Sequence, residues 1–155
     1  MSKFRALELA IELATRKRDE QARRHAQAQK TLQFAHGQLD QLQNYSADTD
    51  ARWIGGHAVN LSVELVRHHY QFMDRLQHAV GQQQGVIANL ERQLAAAHQV
   101  LLQAEYRLAG LKQVLKSRQA ELLGLEQRRE QRATDEFAAM RHFRGRAAQT
   151  MEETL

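Results

Sequence analysis

Ile87-Ala-Asn-Leu-Glu-Arg-Gln-Leu-Ala-Ala-Ala-His-Gln-Val-Leu101, with its continuation to Leu125, is the stretch that decides the fold. Its apolar side chains recur at Ile87, Leu90, Leu94, Ala97, Leu101, Ala104, Leu108, Leu111, Leu115, Leu122 and Leu125, in steps of three and four interrupted only by Arg118. That period holds one stripe of a helix against a partner helix, which is the signature of a coiled coil rather than of a globular core. Working backwards, the frame continues through Gln83, Val80, Leu76, Met73, His69 and Val66. An earlier run has the same alternation: Phe4, Leu7, Ile11, Ala14, Arg18, Gln21, His25, Ala28, Leu32, Ala35, Leu39 and Leu42. A rod of this kind offers no concave pocket, so its function is to be sought in contacts.

Between the two runs the pattern fails, from Ser46 to Asn60, where Asp48, Thr49, Asp50, Gly55 and Gly56 cluster. Paired glycines supply the left-handed backbone angles that a chain reversal needs. Ser62 is suited to cap the second helix, with Glu64 in its first turn and Leu61 and Val66 placed as a hydrophobic staple. The expectation is an all-α, long antiparallel two-helix coiled-coil hairpin whose second helix overhangs the first. It comprises one domain over 1–155: a helix over about 2–46, a hinge over 47–60, a helix over 61–143 and a frayed tail over 144–155. Folding the arms together places Leu42 near Phe72 and Phe4 near Gly110. Beyond that point roughly 30 residues, about 45 Å of helix, remain uncovered, with Leu111, Leu115, Leu122 and Leu125 still apolar. An uncovered stripe is either a homodimer seam or a docking surface for another protein; the hairpin is read as a monomer, with a dimer as the alternative.

Composition excludes more than it selects. The 155 residues contain no proline and no cysteine, so helices run without breakers and neither disulfides nor thiolate chemistry are available. No apolar run reaches the roughly 20 residues of a membrane span, and Glu8, Glu12 and Arg16–Arg18 interrupt any secretion signal. A soluble cytoplasmic protein is the expectation. The 22 basic and 18 acidic residues leave a net charge of +4. Arginines interleave with Glu and Gln, as in Glu126–Arg132, which reads as a solvated coiled-coil flank rather than a nucleic-acid face. The basic excess near both termini suits a positively charged tip and an acidic protein partner. No histidine pair has the i, i+4 spacing of a helical zinc site. Gly81–Gly85 lacks the lysine of a phosphate loop. No metal, no cofactor and no catalytic residue are therefore assigned.

Near the hinge, Leu65, Phe72, Ala79 and Val86 lie one residue before the seam of the second helix, and Gln38 and Tyr45 stand beside the seam of the first. Two readings stay open: they widen the core where the arms diverge, or Tyr45 and Phe72 form a surface patch, aromatic residues being enriched at protein interfaces.

Three stretches resemble the FliJ family, the general chaperones and ATPase stalks of bacterial flagellar type III export. They are Phe4-Arg-Ala-Leu-Glu-Leu-Ala-Ile-Glu-Leu-Ala14 with Arg18-Asp-Glu-Gln-Ala22, the tail Glu126–Ala138 with its Asp-Glu pair, and the set Gln38, Leu42, Tyr45, Phe72, Leu76 and Ala79. The resemblance implies that this last set binds the export gate, an inner-membrane protein; Thr49 and Gln83 depart from the types expected at its ends. It implies that Phe4, Leu7, Ile11, Arg18, Leu111, Leu115 and Leu122 meet the ring of the export ATPase hexamer. Further implied are peripheral association with the inner membrane, contact with substrate-specific export chaperones and no nucleic acid. An injectisome stalk of the same shape, or an unrelated structural or nucleic-acid-associated coiled coil, are the alternatives.

Overall fold

Two helices account for nearly all of the computed structural model, which describes residues 3–55 and 62–154: α1 (Arg5–Gly55) and α2 (Val63–Glu153). They pack against each other as an all-α helical hairpin. The chain divides into two compact units to which both helices contribute, one comprising residues 13–108 and the other residues 1–12 with 109–155.

In the unit of residues 13–108, the seam positions read from the sequence are the ones that lose solvent. Ala14, Ala35, Leu76, Val80, Ile87, Ala104 and Leu108 are buried, and the intervening members of both frames are half-buried. No described side chain is completely enclosed, because two helices can cover each other on one stripe only. The seam carries polar residues as well: Gln83 Nε2 donates to the carbonyl of Ala35 at 2.9 Å and to Gln38 Oε1 at 3.2 Å. The rings of His25 and His98 lie 5.4 Å apart across the arms.

The hinge is shorter than the sequence reading had it. α1 does not stop at Ser46 but runs to Gly55. Its seam continues in the same three-four alternation through buried Ser46 and half-buried Thr49 and Trp53. Small or aromatic side chains at those positions hide the period from a search for aliphatic ones. Ala47 and Ala51 favour helix locally, and the indole of Trp53 stacks on the His69 ring at 4.0 Å and 3°, which offsets the weak propensity of Asp48, Thr49 and Asp50. Among the described glycines none has a positive φ; Gly55 is helical, whereas Gly56 and the staple residue Leu61 lie outside the described residues. α2 opens as its cap residue predicts: the Leu65 amide donates to Ser62 Oγ at 3.2 Å and the Val66 amide to the Ser62 carbonyl at 3.2 Å.

Pairing moves with the hinge. Phe72 meets Tyr45 rather than Leu42, their ring centroids 6.0 Å apart. In the unit of residues 1–12 and 109–155, Phe4 shares a groove with Arg118, Glu121, Leu122 and Leu125 instead of standing at Gly110. Leu111, Leu115 and Leu122 are accordingly half-buried rather than uncovered, while every described residue from Glu126 to Thr154 is exposed.

The expected end of the second helix at Phe143 and a frayed tail over 144–155 are also corrected: α2 remains helical to Glu153. Its last turns extend a helix already nucleated within the hairpin, so they add hydrogen bonds without a new nucleation cost. A side-chain pair one turn apart, Gln131 donating to Asp135 at 3.1 Å, supports the exposed stretch, and the Thr134 and Thr150 hydroxyls donate back to the carbonyls of Glu130 and Arg146 at 2.8 and 2.7 Å.

Candidate functional site

Around the Tyr45–Phe72 pair, the first set of residues singled out in the sequence divides by depth. Tyr45 is 55% and Phe72 38% exposed, and the rings meet edge to face at 83°. Edge-to-face packing puts the positive rim of one ring on the negative face of the other, so the pair holds its shape while both rings remain open to solvent. Gln38 is exposed, and Leu42 and Ala79 are half-buried at the margin of the seam. Leu76 is different: at 8% exposure it belongs to the core and presents almost nothing to a partner.

Beside Tyr45 runs a shallow groove of about 480 Å³ lined by Gln38, Gln41, Leu42, Tyr45 and Gln83. Gln41 was not singled out from the sequence, although it lies one turn before Tyr45 and therefore on the same face. Gln83 enters as the donor that ties the exposed Gln38 amide to the seam. The groove joins amide groups, which both donate and accept hydrogen bonds, to an aromatic face.

Nearer the chain reversal, half-buried Trp53 covers His69, whose Nε2 stands 4.0 Å from Asp50 Oδ1. Sequence reading passed over Trp53 because it fell within the expected hinge; the spacing Leu42, Ser46, Thr49, Trp53 is the signal that finds it.

The second predicted set is gathered only in part. Phe4, Leu7, Ile11, Leu111, Leu115 and Leu122 all belong to the unit of residues 1–12 and 109–155 and are half-buried there. Phe4 and Leu122 line a groove of about 320 Å³ with Lys3, Arg118, Glu121 and Leu125, so its walls are apolar and its rim charged with both signs. Arg18 lies in the other unit, where its Nε bonds Asp19 Oδ1 at 2.7 Å. Among the described residues no group of three or more His, Asp or Glu side chains is placed to hold a metal ion, and no helix is long and apolar enough to cross a membrane.

No curated protein and no solved structure matches the chain. Residues 2–147 do match a protein family, described as the flagellar FliJ protein, and that span takes in all of α1 and most of α2. Built as a two-helix hairpin, this chain belongs to the FliJ family, proteins of flagellar export.

Proposed function

We propose that this chain acts in flagellar export as a stalk, binding the ring of the export ATPase through the surface around Phe4, Leu7, Ile11, Leu111, Leu115 and Leu122 and the membrane export gate through the surface around Tyr45 and Phe72. In this reading it works at the inner membrane as a peripheral component and has a general chaperone-like role towards substrate-specific export chaperones. Membership of the FliJ family supports flagellar rather than injectisome use. The observation that carries the gate contact is the exposed, edge-to-face pair Tyr45–Phe72 standing beside an otherwise continuous seam. Two large rings held together in solvent are what a protein interface uses as an anchor.

Because these rings flank the seam, Tyr45→Ala with Phe72→Ala leaves helicity nearly unchanged while weakening gate binding. Anchor aromatics cost at least about 2 kcal/mol when truncated, roughly thirtyfold in affinity. Circular dichroism and a binding titration against the purified gate domain read the two effects separately. Loss of helicity together with binding assigns the rings to the core; intact helicity with unaltered affinity removes the gate assignment.

A further inference from the structure

The last third of α2 carries a second amphipathic surface that the hairpin does not use. From Phe137 to Met151 there is no Asp or Glu, and the segment holds three arginines, Arg141, Arg144 and Arg146, together with His142. It is helical throughout and exposed at every position. Phe137, Met140, Phe143 and Met151 are 64%, 57%, 75% and 74% exposed, and Met140 and Phe143 border a shallow groove with Ala139 and Arg144. At about 100° per residue these apolar side chains share an arc of about 120°, roughly a third of the helix circumference. Arg141 and Arg146 then flank that arc, about 40° and 60° beyond its two ends, and Arg144 falls within it. Among the described residues none of the three arginines pairs with a carboxylate.

We propose that the α2 segment Phe137–Met151 lies flat on an anionic lipid surface, its Phe and Met side chains entering the headgroup boundary and Arg141, Arg144 and Arg146 resting on lipid phosphates. Three observations select this occupant. The three-four frame that pairs α2 with α1 ends where Arg129 and Arg132 take its next positions, so the arc is not a prolonged coiled-coil seam. A second copy is disfavoured, since pairing this segment with itself sets arginine against arginine with no acid in either strand. Arg144, inside the arc, would be a buried charge in a dry protein groove. At a bilayer its guanidinium reaches outwards to phosphate while its methylenes stay among apolar neighbours. The helix is already formed, so binding carries no ordering cost for the backbone. This inference does not rest on the gate or ATPase contacts.

Flotation of the full chain with vesicles tests it, using phosphatidylcholine alone and phosphatidylcholine mixed in equal parts with phosphatidylglycerol. The chain floats with the anionic vesicles at low salt, is released as salt rises, and does not float with phosphatidylcholine alone. Each arginine near an anionic surface contributes about fivefold, so Arg141→Gln with Arg144→Gln and Arg146→Gln lowers binding about a hundredfold. Phe137→Ser with Phe143→Ser also abolishes flotation, with circular dichroism unchanged. The proposal is overturned by absence of flotation with anionic vesicles, by equal flotation with both kinds, or by full flotation of the serine variant, which would mean simple charge adsorption. It is equally overturned if vesicles are ignored and the arginine variant instead loses an acidic protein of the export apparatus.

Discussion

Trp53 illustrates how one side chain resets the reading of its neighbours. The cluster of Asp, Thr and Gly around it reads locally as a turn, yet the ring lies flat on His69 at 4.0 Å and the backbone stays helical to Gly55. The stacking partner lies on the other helix, so the contact is invisible to any window of local sequence. If this contact holds the last turns of α1, Trp53→Ala costs about 2 kcal/mol, roughly half the cost of deleting a fully buried large side chain. Urea denaturation followed by circular dichroism measures it; an unchanged midpoint would mean that the helix beyond Ser46 owes nothing to Trp53. Tyr45 and Phe72 are the converse case. Their flank positions were legible from the heptad frame, but the choice between core and surface needed their exposure, which depends on how far apart the arms stand at that level.

Helix α2 opens where its sequence says it should. Ser62 has the short hydroxyl that can accept from an amide three residues on, and the bond is formed with Leu65 at 3.2 Å. Ser62→Ala therefore destabilises the start of α2 by about 1 kcal/mol, whereas Ser62→Asp retains the cap and adds a favourable charge at the helix N-terminus. Thermal melts of the two variants against the wild type separate these outcomes, and an alanine variant as stable as the wild type would refute the role of the cap. The ends of both helices were harder to read than their middles. α1 outlasts its aliphatic pattern because Ser46, Thr49 and Trp53 still face α2, and α2 outlasts Phe143 because helix formers such as Arg144, Arg146, Ala147 and Ala148 extend a helix that is already nucleated. Aliphatic period detects a helix that has a neighbour of ordinary size; it does not detect one that packs through small, polar or aromatic groups, or one that packs on nothing.

At the scale of the whole molecule, the chain's first turns reach the level of Arg118–Leu125, so Leu111, Leu115 and Leu122 are half-buried where an uncovered stripe was expected, while Leu125 stays exposed. Leu7→Asp with Ile11→Asp places carboxylates at half-buried positions of the unit that also holds Leu111 and Leu115, and unpaired charges are strongly disfavoured against apolar surface. The variant is expected to lose helicity locally and to stimulate the export ATPase less than the wild type, in an assay of phosphate release by the purified ATPase. Undiminished stimulation would remove this unit from the proposed ATPase contact. The sequence by itself determined the all-helical class, the two heptad frames, the chain reversal between them and the cap at Ser62, because each rests on local propensity or on a period within one segment. Only the tertiary structure decided the length of α1, the register that sets Tyr45 against Phe72, the burial of Leu76 within an otherwise exposed patch and the separation of Arg18 from its expected companions. These depend on where the chain turns, and each residue taken from the hinge into a helix shifts every pairing along both arms.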